Sequence, residues 1–299
     1  MFFFFLSDLR SISCLKRLRN WLIFMSVVFI WGSNWSVMKT ALSFVGPLNI
    51  VFQRLLFSSI VLFPFLFLSS FRIPKDKNTL RRLFILSIIN ICIAISTHTG
   101  LVHEKSGIGA VLTYTQPLFV FCLAVPFLKE KPSSGRILGI LFGFSGVIIL
   151  FLRKELSFSN FTYQSFLMII GAFLWAVSII YYKKFLSHVN PIVTNFFQQS
   201  IGAAFVSVLS FRTEGFTFPL NINYLFLVLY MSLASSTLAM TLWVFLLREE
   251  EATVLSTASF IVPAIALILG NLILNESLGI VSILGIALIL SGIYLVNKT

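Results

Sequence analysis

An arginine set deep in an apolar run is the most expensive residue of this sequence. Arg54 follows Gln53 some seven residues into the run 47–70, and an ionisable group at mid-depth in hydrocarbon costs at least about 2.5–3.5 kcal/mol unless it faces protein or water. It is expected to face a polar cavity, where a guanidinium would bind a carboxylate or another anionic group. Lys39 closes the run 21–42 and is either a second cation for that cavity or an anchor that snorkels to the surface. Polar and aromatic residues recur around these two at helical spacing. They are Trp31, Asn34, Trp35 and Met38; Ser87, Asn90, Thr97 and His98; Trp175, Ser178 and Tyr182; and Asn195, Gln198, Gln199 and Gly202. Such side chains also join helices to one another in a membrane, but their number exceeds what glycine-rich helices need in order to pack. With Tyr114 and Gln116 added, the expected substrate-binding set is Trp31, Asn34, Lys39, Arg54, His98, Tyr114, Gln116, Trp175, Tyr182, Gln198 and Gln199.

Chemistry that the sequence lacks narrows the reading further. All ten acids, Glu104, Glu130, Glu155, Glu214 and Glu276 among them, fall in loops or at the ends of apolar runs. A carboxylate-based proton or sodium site therefore has no ligand in the bilayer core, while uniport, exchange, or coupling through histidine or backbone carbonyls stays open. A lone membrane histidine more often satisfies a local bond than relays protons, so His98 is weighed first as a cavity residue. An intramembrane enzyme would need a nucleophile with a base, paired carboxylates or a metal cluster at one depth. The acids and His98, His103 and His188 do not converge in that way, and neither catalysis, a metal nor a cofactor is expected. Cys14, Cys92 and Cys122 form neither a disulfide framework nor a closely spaced metal motif.

The elements that must carry these residues are membrane helices. Hydrophobic residues make up 58% and charged residues 11% of the 299, with a mean hydropathy of +0.98, too little polar surface to coat a soluble globule. A span needs roughly 20 apolar residues, and ten such runs are read: 21–42, 47–70, 82–102, 106–128, 134–152, 162–184, 191–211, 223–247, 252–274 and 278–296. No loop is long enough for an independent domain. The expected fold is an all-α membrane bundle of ten transmembrane helices, with a cytoplasmic segment 1–20 followed by five-helix units at 21–152 and 162–296. The opening Met1–Leu6 run is too short for a signal peptide and is followed, not preceded, by basic residues, so an interfacial anchor is the expectation.

Those two units repeat each other. At an offset of 144, Trp31 pairs with Trp175, Lys39 with Lys183, Pro47 with Pro191 and Phe52 with Phe196. The offset then becomes 146, pairing Pro117 with Pro263, Glu130 with Glu276, Gly139 with Gly285 and Gly146 with Gly292. An odd number of spans per unit forces the copies into opposite orientations, and inverted repeats enclosing a central site are a recurring plan of secondary transporters. Pro117 and Pro263 interrupt equivalent spans and are expected to act as hinges. Gly135, Gly139, Gly143 and Gly146, with Gly285 and Gly292, are expected to pack spans 5 and 10 closely. The outer faces of those two spans could also join two copies as a homodimer.

Net charge of +12 sets topology here, since no soluble element exists to bind nucleic acid. With the N-terminus inside, sixteen Lys and Arg fall on cytoplasmic segments and five on outer ends, which places both termini in the cytoplasm. The expected partners are the lipid bilayer and a small-molecule substrate.

Several of these residues resemble the ten-helix EamA family of the drug/metabolite transporter superfamily. The likeness rests on Trp31-Gly32-Ser33-Asn34 with Lys39, on Pro47 and Arg54, and on Gln116-Pro117-Leu118 leading to Leu128-Lys129-Glu130. The second copy supplies Trp175 and Pro263 through Leu274-Asn275-Glu276, so the resemblance covers about 20–297. It implies an inner-membrane carrier that moves small metabolites, often exporting amino acids or related compounds, through alternating exposure of a central cavity. The related nucleotide-sugar or sugar-phosphate exchangers share the architecture, and a non-transporting scaffold is the third reading. Glu249, Glu250 and Glu251 depart from the family pattern, which has small residues before span 9.

Overall fold

The computed structural model describes residues 12–67, 73–131, 133–151, 163–274 and 280–298. Residues 1–11, Glu155 and Glu276 lie outside them. Among the described residues the secondary structure is helical throughout, as a chain in hydrocarbon requires when every backbone N–H and C=O must be paired internally. The helices are α1 (Ile12–Ala41), α2 (Pro47–Leu62), α3 (Lys77–Leu101), α4 (Ser106–Thr113), α5 (Gln116–Leu128), α6 (Ser134–Phe151) and α7 (Tyr163–Phe185). They continue as α8 (Pro191–Thr213), α9 (Ile222–Leu229), α10 (Met240–Glu249), α11 (Ala252–Ala258), α12 (Ile261–Leu274) and α13 (Ile280–Lys298). A 3₁₀ turn, Phe63–Phe67, follows α2, and a π-helical stretch, Tyr230–Ala239, joins α9 to α10. Eight segments built from these helices are long and apolar enough to cross a membrane. They include every expected span except 134–152 and 278–296, whose positions are taken by α6 and α13.

Starts and breaks follow local rules. Pro47 and Pro191 open α2 and α8, where a missing N–H costs nothing. The Asn190 side chain caps α8 by accepting from the Ile192 N–H at 2.9 Å. Asp76 caps α3 through the Thr79 N–H at 2.7 Å, a bond that holds its carboxyl below the ordinary carboxylate value. The expected continuous spans 106–128 and 252–274 are each split in two, α4 from α5 and α11 from α12. A proline removes its own N–H and clashes with the carbonyl four residues back. For Pro117 that residue is Thr113, the last of α4; for Pro263 it is Ser259, the first beyond α11. Across the bundle the Gln116 side chain donates to Ser256 Oγ at 3.3 Å, tying one break to the other.

Helices of the first half pack mainly on helices of the second: α6 on α13, α3 on α7 and α8, α2 on α8, α1 on α12 and α5 on α7. The closest approach is the one the glycines foretell. A Cβ built on Gly292 would lie 2.4 Å from the Gly139 oxygen and 2.5 Å from the Gly143 nitrogen, so α13 rests directly on the α6 backbone. A Cβ on Gly143 would in turn meet the Phe260 ring at 2.7 Å. These glycines therefore pack two helices of one chain together.

Both ends of the bundle are tied by polar contacts. At one end Lys39 Nζ donates to the carbonyls of Leu101 and Val102 at 3.0 and 2.9 Å, closing the C-terminus of α3. At the opposite end its repeat equivalent Lys183 donates to the carbonyls of Leu247 and Glu250 at 2.9 and 2.5 Å. Leu101 and Leu247 are themselves equivalent at the offset of 146, so one clasp has been made twice. Glu130 accepts from the Ala252 and Thr253 N–H groups at the start of α11. Glu214 does the same for Leu48 and Asn49 at the start of α2.

Gly292→Val is expected to force α6 and α13 apart at a cost of about 1–3 kcal/mol, lowering the melting temperature of detergent-solubilised protein; an unchanged melt would refute the close packing. Lys39→Met and Lys183→Met should each cost about 1.5–3 kcal/mol and by similar amounts, because each strips a charged donor from two helix-end carbonyls. The same thermal assay checks both.

Candidate functional site

Between the two halves lies a cavity of about 150 Å³, an order of magnitude above the roughly 10–15 Å³ that one water needs. Its wall is built from α1 (Trp31, Asn34, Trp35, Met38), α2 (Arg54, Leu55), α3 (Asn90 to His98) and the α4–α5 break (Thr113, Tyr114). Trp175 of α7, Gln198 and Gln199 of α8, Ser235 and Ser236 of the π-helical stretch and Met240 complete it. None of these lining residues is an acid, and none comes from 252–274.

Arg54 is held by neutral groups. Its Nε donates to Ser236 Oγ at 2.9 Å and its Nη1 to His98 Nε2 at 3.1 Å. A guanidinium can only donate, so Nε2 must accept, and the proton of His98 must sit on Nδ1. Nδ1 lies 2.8 Å from the Ala94 carbonyl, which accepts that proton's bond. Both contacts are met by one neutral tautomer, and the ring positions Arg54 without competing for a negative charge. No acidic partner to Arg54 occurs among the described residues.

Ser236 is itself held in place from α8. The Asn195 amide donates to the carbonyls of Ser236 and Thr237 at 2.9 and 3.2 Å and to Thr241 Oγ1 at 2.9 Å. Gln199 Nε2 donates to Asn195 Oδ1 at 2.7 Å and to the Ser236 carbonyl at 3.2 Å. A π-helical turn is wider than an α-turn and leaves carbonyls off the regular ladder, and here buried amides take them up. Opposite this polar wall stands an aromatic one. Trp31 and Trp175, equivalent in the two repeats, touch edge-on with centroids 5.5 Å apart, and Trp243 and Tyr114 extend the cluster at 5.1 and 5.3 Å.

The structure places Trp31, Asn34, Arg54, His98, Tyr114, Trp175, Gln198 and Gln199 on the cavity wall. Lys39, Gln116 and Tyr182 are elsewhere. Lys39 is engaged with helix-end carbonyls and Gln116 with the second helix break. Tyr182 shares the face of Trp175 but lies seven residues further along α7, about 10 Å away at 1.5 Å per residue. Helical spacing fixes a face, not a depth. Ser235 and Ser236 were missed. Their signal was the hydroxyl run Ser232, Ser235, Ser236 and Thr237 in span 8, which reads as ordinary back-bonding to carbonyls when the helix is assumed regular. Among the described residues no group of His, Cys, Asp or Glu is arranged to hold a metal.

The sequence pattern of the EamA-like transporter family matches residues 19–152 and again 163–298. The chain is 28% identical to the uncharacterized transporter YoaV of Bacillus subtilis over 274 residues, covering 90% of this chain and 94% of that one. It is 31% identical over 234 residues to an uncharacterized transporter of Acidianus ambivalens, covering 78% and 87%. Against the uncharacterized inner membrane transporter YedA of Escherichia coli it is 25% identical over 276 residues, covering 91% and 88%. A crystal structure at 16% identity superimposes with a TM-score of 0.77 over 94% of this chain and 96% of the other, and so has the same fold. Two successive copies of one family domain, apolar helices throughout and relatives named as transporters identify a multi-pass membrane protein that belongs to the EamA-like transporter family.

Proposed function

We propose that this protein is a secondary carrier, not an enzyme, that exports small carboxylate-bearing metabolites, amino acids or related compounds, across the cell inner membrane by alternating access. The observation that carries the reading is Arg54: a guanidinium facing a cavity, bonded among the described residues only to Ser236 and His98, with no acid on the wall. An unneutralised cation in such a site supplies charge-assisted hydrogen bonds to an incoming carboxylate. In this reading α6 and α13 complete ten spans, the two five-helix halves run in opposite senses, and both termini face the cytoplasm, as the sixteen-to-five distribution of basic residues favours. The inner-membrane location of the relative YedA, as its name gives it, supports the same membrane here. Pro117 and Pro263, each just beyond a helix break, mark where the halves would flex during rocking. A sugar-phosphate cargo would call for further deep cations, and the candidates Lys39 and Lys183 are committed to carbonyls at the bundle ends.

Purified protein in liposomes, offered a labelled panel of amino acids and organic acids, is expected to move at least one carboxylate. Arg54→Gln should weaken that substrate's binding about ten- to hundredfold, the worth of a lost charged hydrogen bond of roughly 1.5–3 kcal/mol. Wild-type protein that moves nothing on the panel, or an Arg54→Gln variant indistinguishable from it, overturns the assignment.

A further inference from the structure

Gln199 has a fixed orientation and an unspent oxygen. Its Nε2 is committed to Asn195 Oδ1 and the Ser236 carbonyl. The Asn195 amide nitrogen is likewise committed, to two carbonyls and to Thr241 Oγ1, so Asn195 can offer Gln199 only its oxygen. Turning the Gln199 amide over would set its oxygen against two acceptors. The network therefore decides the rotamer: the nitrogen faces Asn195 and Oε1 faces away. Gln199 is 3% exposed, and its Oε1 has no hydrogen-bond partner among the described residues. A buried acceptor left unmet is destabilising. Two more residues of the same wall share this condition: Asn34, 7% exposed, with Oδ1 unmet, and Thr113, 3% exposed, with Oγ1 unmet. The cavity thus pairs one cationic donor with a surplus of neutral acceptors.

Donor and acceptor are also adjacent. Arg54 bonds the Ser236 hydroxyl while Gln199 bonds the Ser236 carbonyl, so guanidinium and free amide oxygen flank a single residue. We propose that Gln199 Oε1, assisted by Asn34, is an acceptor subsite for a primary ammonium group carried beside the substrate's carboxylate, and that it makes the carrier select zwitterions over the matching des-amino acids. The subsite rests on Arg54 taking the carboxylate. An ammonium held by neutral oxygens needs no acid, and Trp31, Trp175 and Tyr114, which line the same cavity, supply aromatic rings of the kind that attract a cation. A site built to bond a substrate N–H leaves its own acceptors unpaired when the analogue lacks that group, which is what gives it discrimination.

The test uses full-length protein in detergent and two matched pairs of probes, L-leucine with 4-methylpentanoate and L-phenylalanine with 3-phenylpropanoate, read by quenching of the cavity tryptophans. Wild-type protein is expected to bind at least one amino acid ten times or more tighter than its des-amino partner. Gln199→Leu should bring that ratio to within about twofold of unity by weakening the amino acid alone, and Arg54→Gln should weaken both members of the pair. Equal wild-type affinities overturn the subsite while leaving the carboxylate reading intact, and a ratio that survives Gln199→Leu removes Gln199 from it. Binding of the amino acids unaffected by Arg54→Gln overturns the underlying carboxylate site, and with it this subsite, as does failure of all four probes to bind. Should Gln199→Leu not fold, the wild-type ratio decides alone.

Discussion

A guanidinium kept inside an apolar bundle without a carboxylate is the constraint around which the middle of this molecule is organised. The usual remedy, an ion pair, would spend the charge. Here neutral acceptors hold it instead: His98, with its proton turned towards Ala94, and Ser236, presented by a stretch of π-helix. Ser236 needs support of its own, and Asn195 and Gln199 provide it by pinning the carbonyls that the wider helix turns release. The polar network of α8 thus exists to position a residue on another helix that in turn positions Arg54. Its value lies in leaving the charge available.

The duplication built a symmetric frame and an asymmetric site. Prolines open α2 and α8 and break the spans at Pro117 and Pro263; Lys39 and Lys183 close equivalent helix ends; Trp31 and Trp175 meet each other. The tryptophan pair is a direct contact between equivalent residues of the two copies. The binding chemistry departs from that symmetry at once. Arg54 corresponds to Gln198 and Leu55 to Gln199 at the offset of 144. One copy supplies the charge and the other the amides, which is how two similar halves enclose a cavity with distinct ends.

Much of this was legible because hydrocarbon makes polar residues costly and so gives them meaning. Arg54, His98 and Gln198 stood out from their apolar runs, and the glycine spacing marked α6 and α13 as packing helices without saying what each packs against. Lys39 shows the limit: a cation near the end of a span can serve a cavity or a helix terminus, and only the position of the α3 carbonyls decides between them. Ser236 shows another. A serine inside a helix ordinarily bonds its own backbone, and nothing in the local sequence says that the backbone here is π-helical. The helix breaks were foreseen in kind, though their place, two to four residues before each proline, follows from the clash of the ring with the preceding turn.

The distribution of bond types from the ends to the middle has a mechanical consequence. At one end the three glutamates that depart from the family pattern are all engaged: Glu249 pairs with Lys16 and Arg19, Glu250 accepts from Asn20 at 2.7 Å, and Glu251 pairs with Arg136. These contacts link α1 and α6 of the first half to the α10–α11 turn of the second. The Lys16 and Arg19 pairs with Glu249 are exposed on the basic side and worth about 0–1 kcal/mol each, since water replaces those cations readily. The central contacts are buried and join the Arg54 guanidinium to neutral acceptors, and parting them would leave buried groups with nothing in exchange. In the rocking proposed for the two halves, the Arg54–Ser236 contact, which joins one half to the other, would lie at the pivot while the charged contacts at the end part. On that view a substrate would meet the same binding groups from either side of the membrane, and the ends alone would decide which side it sees.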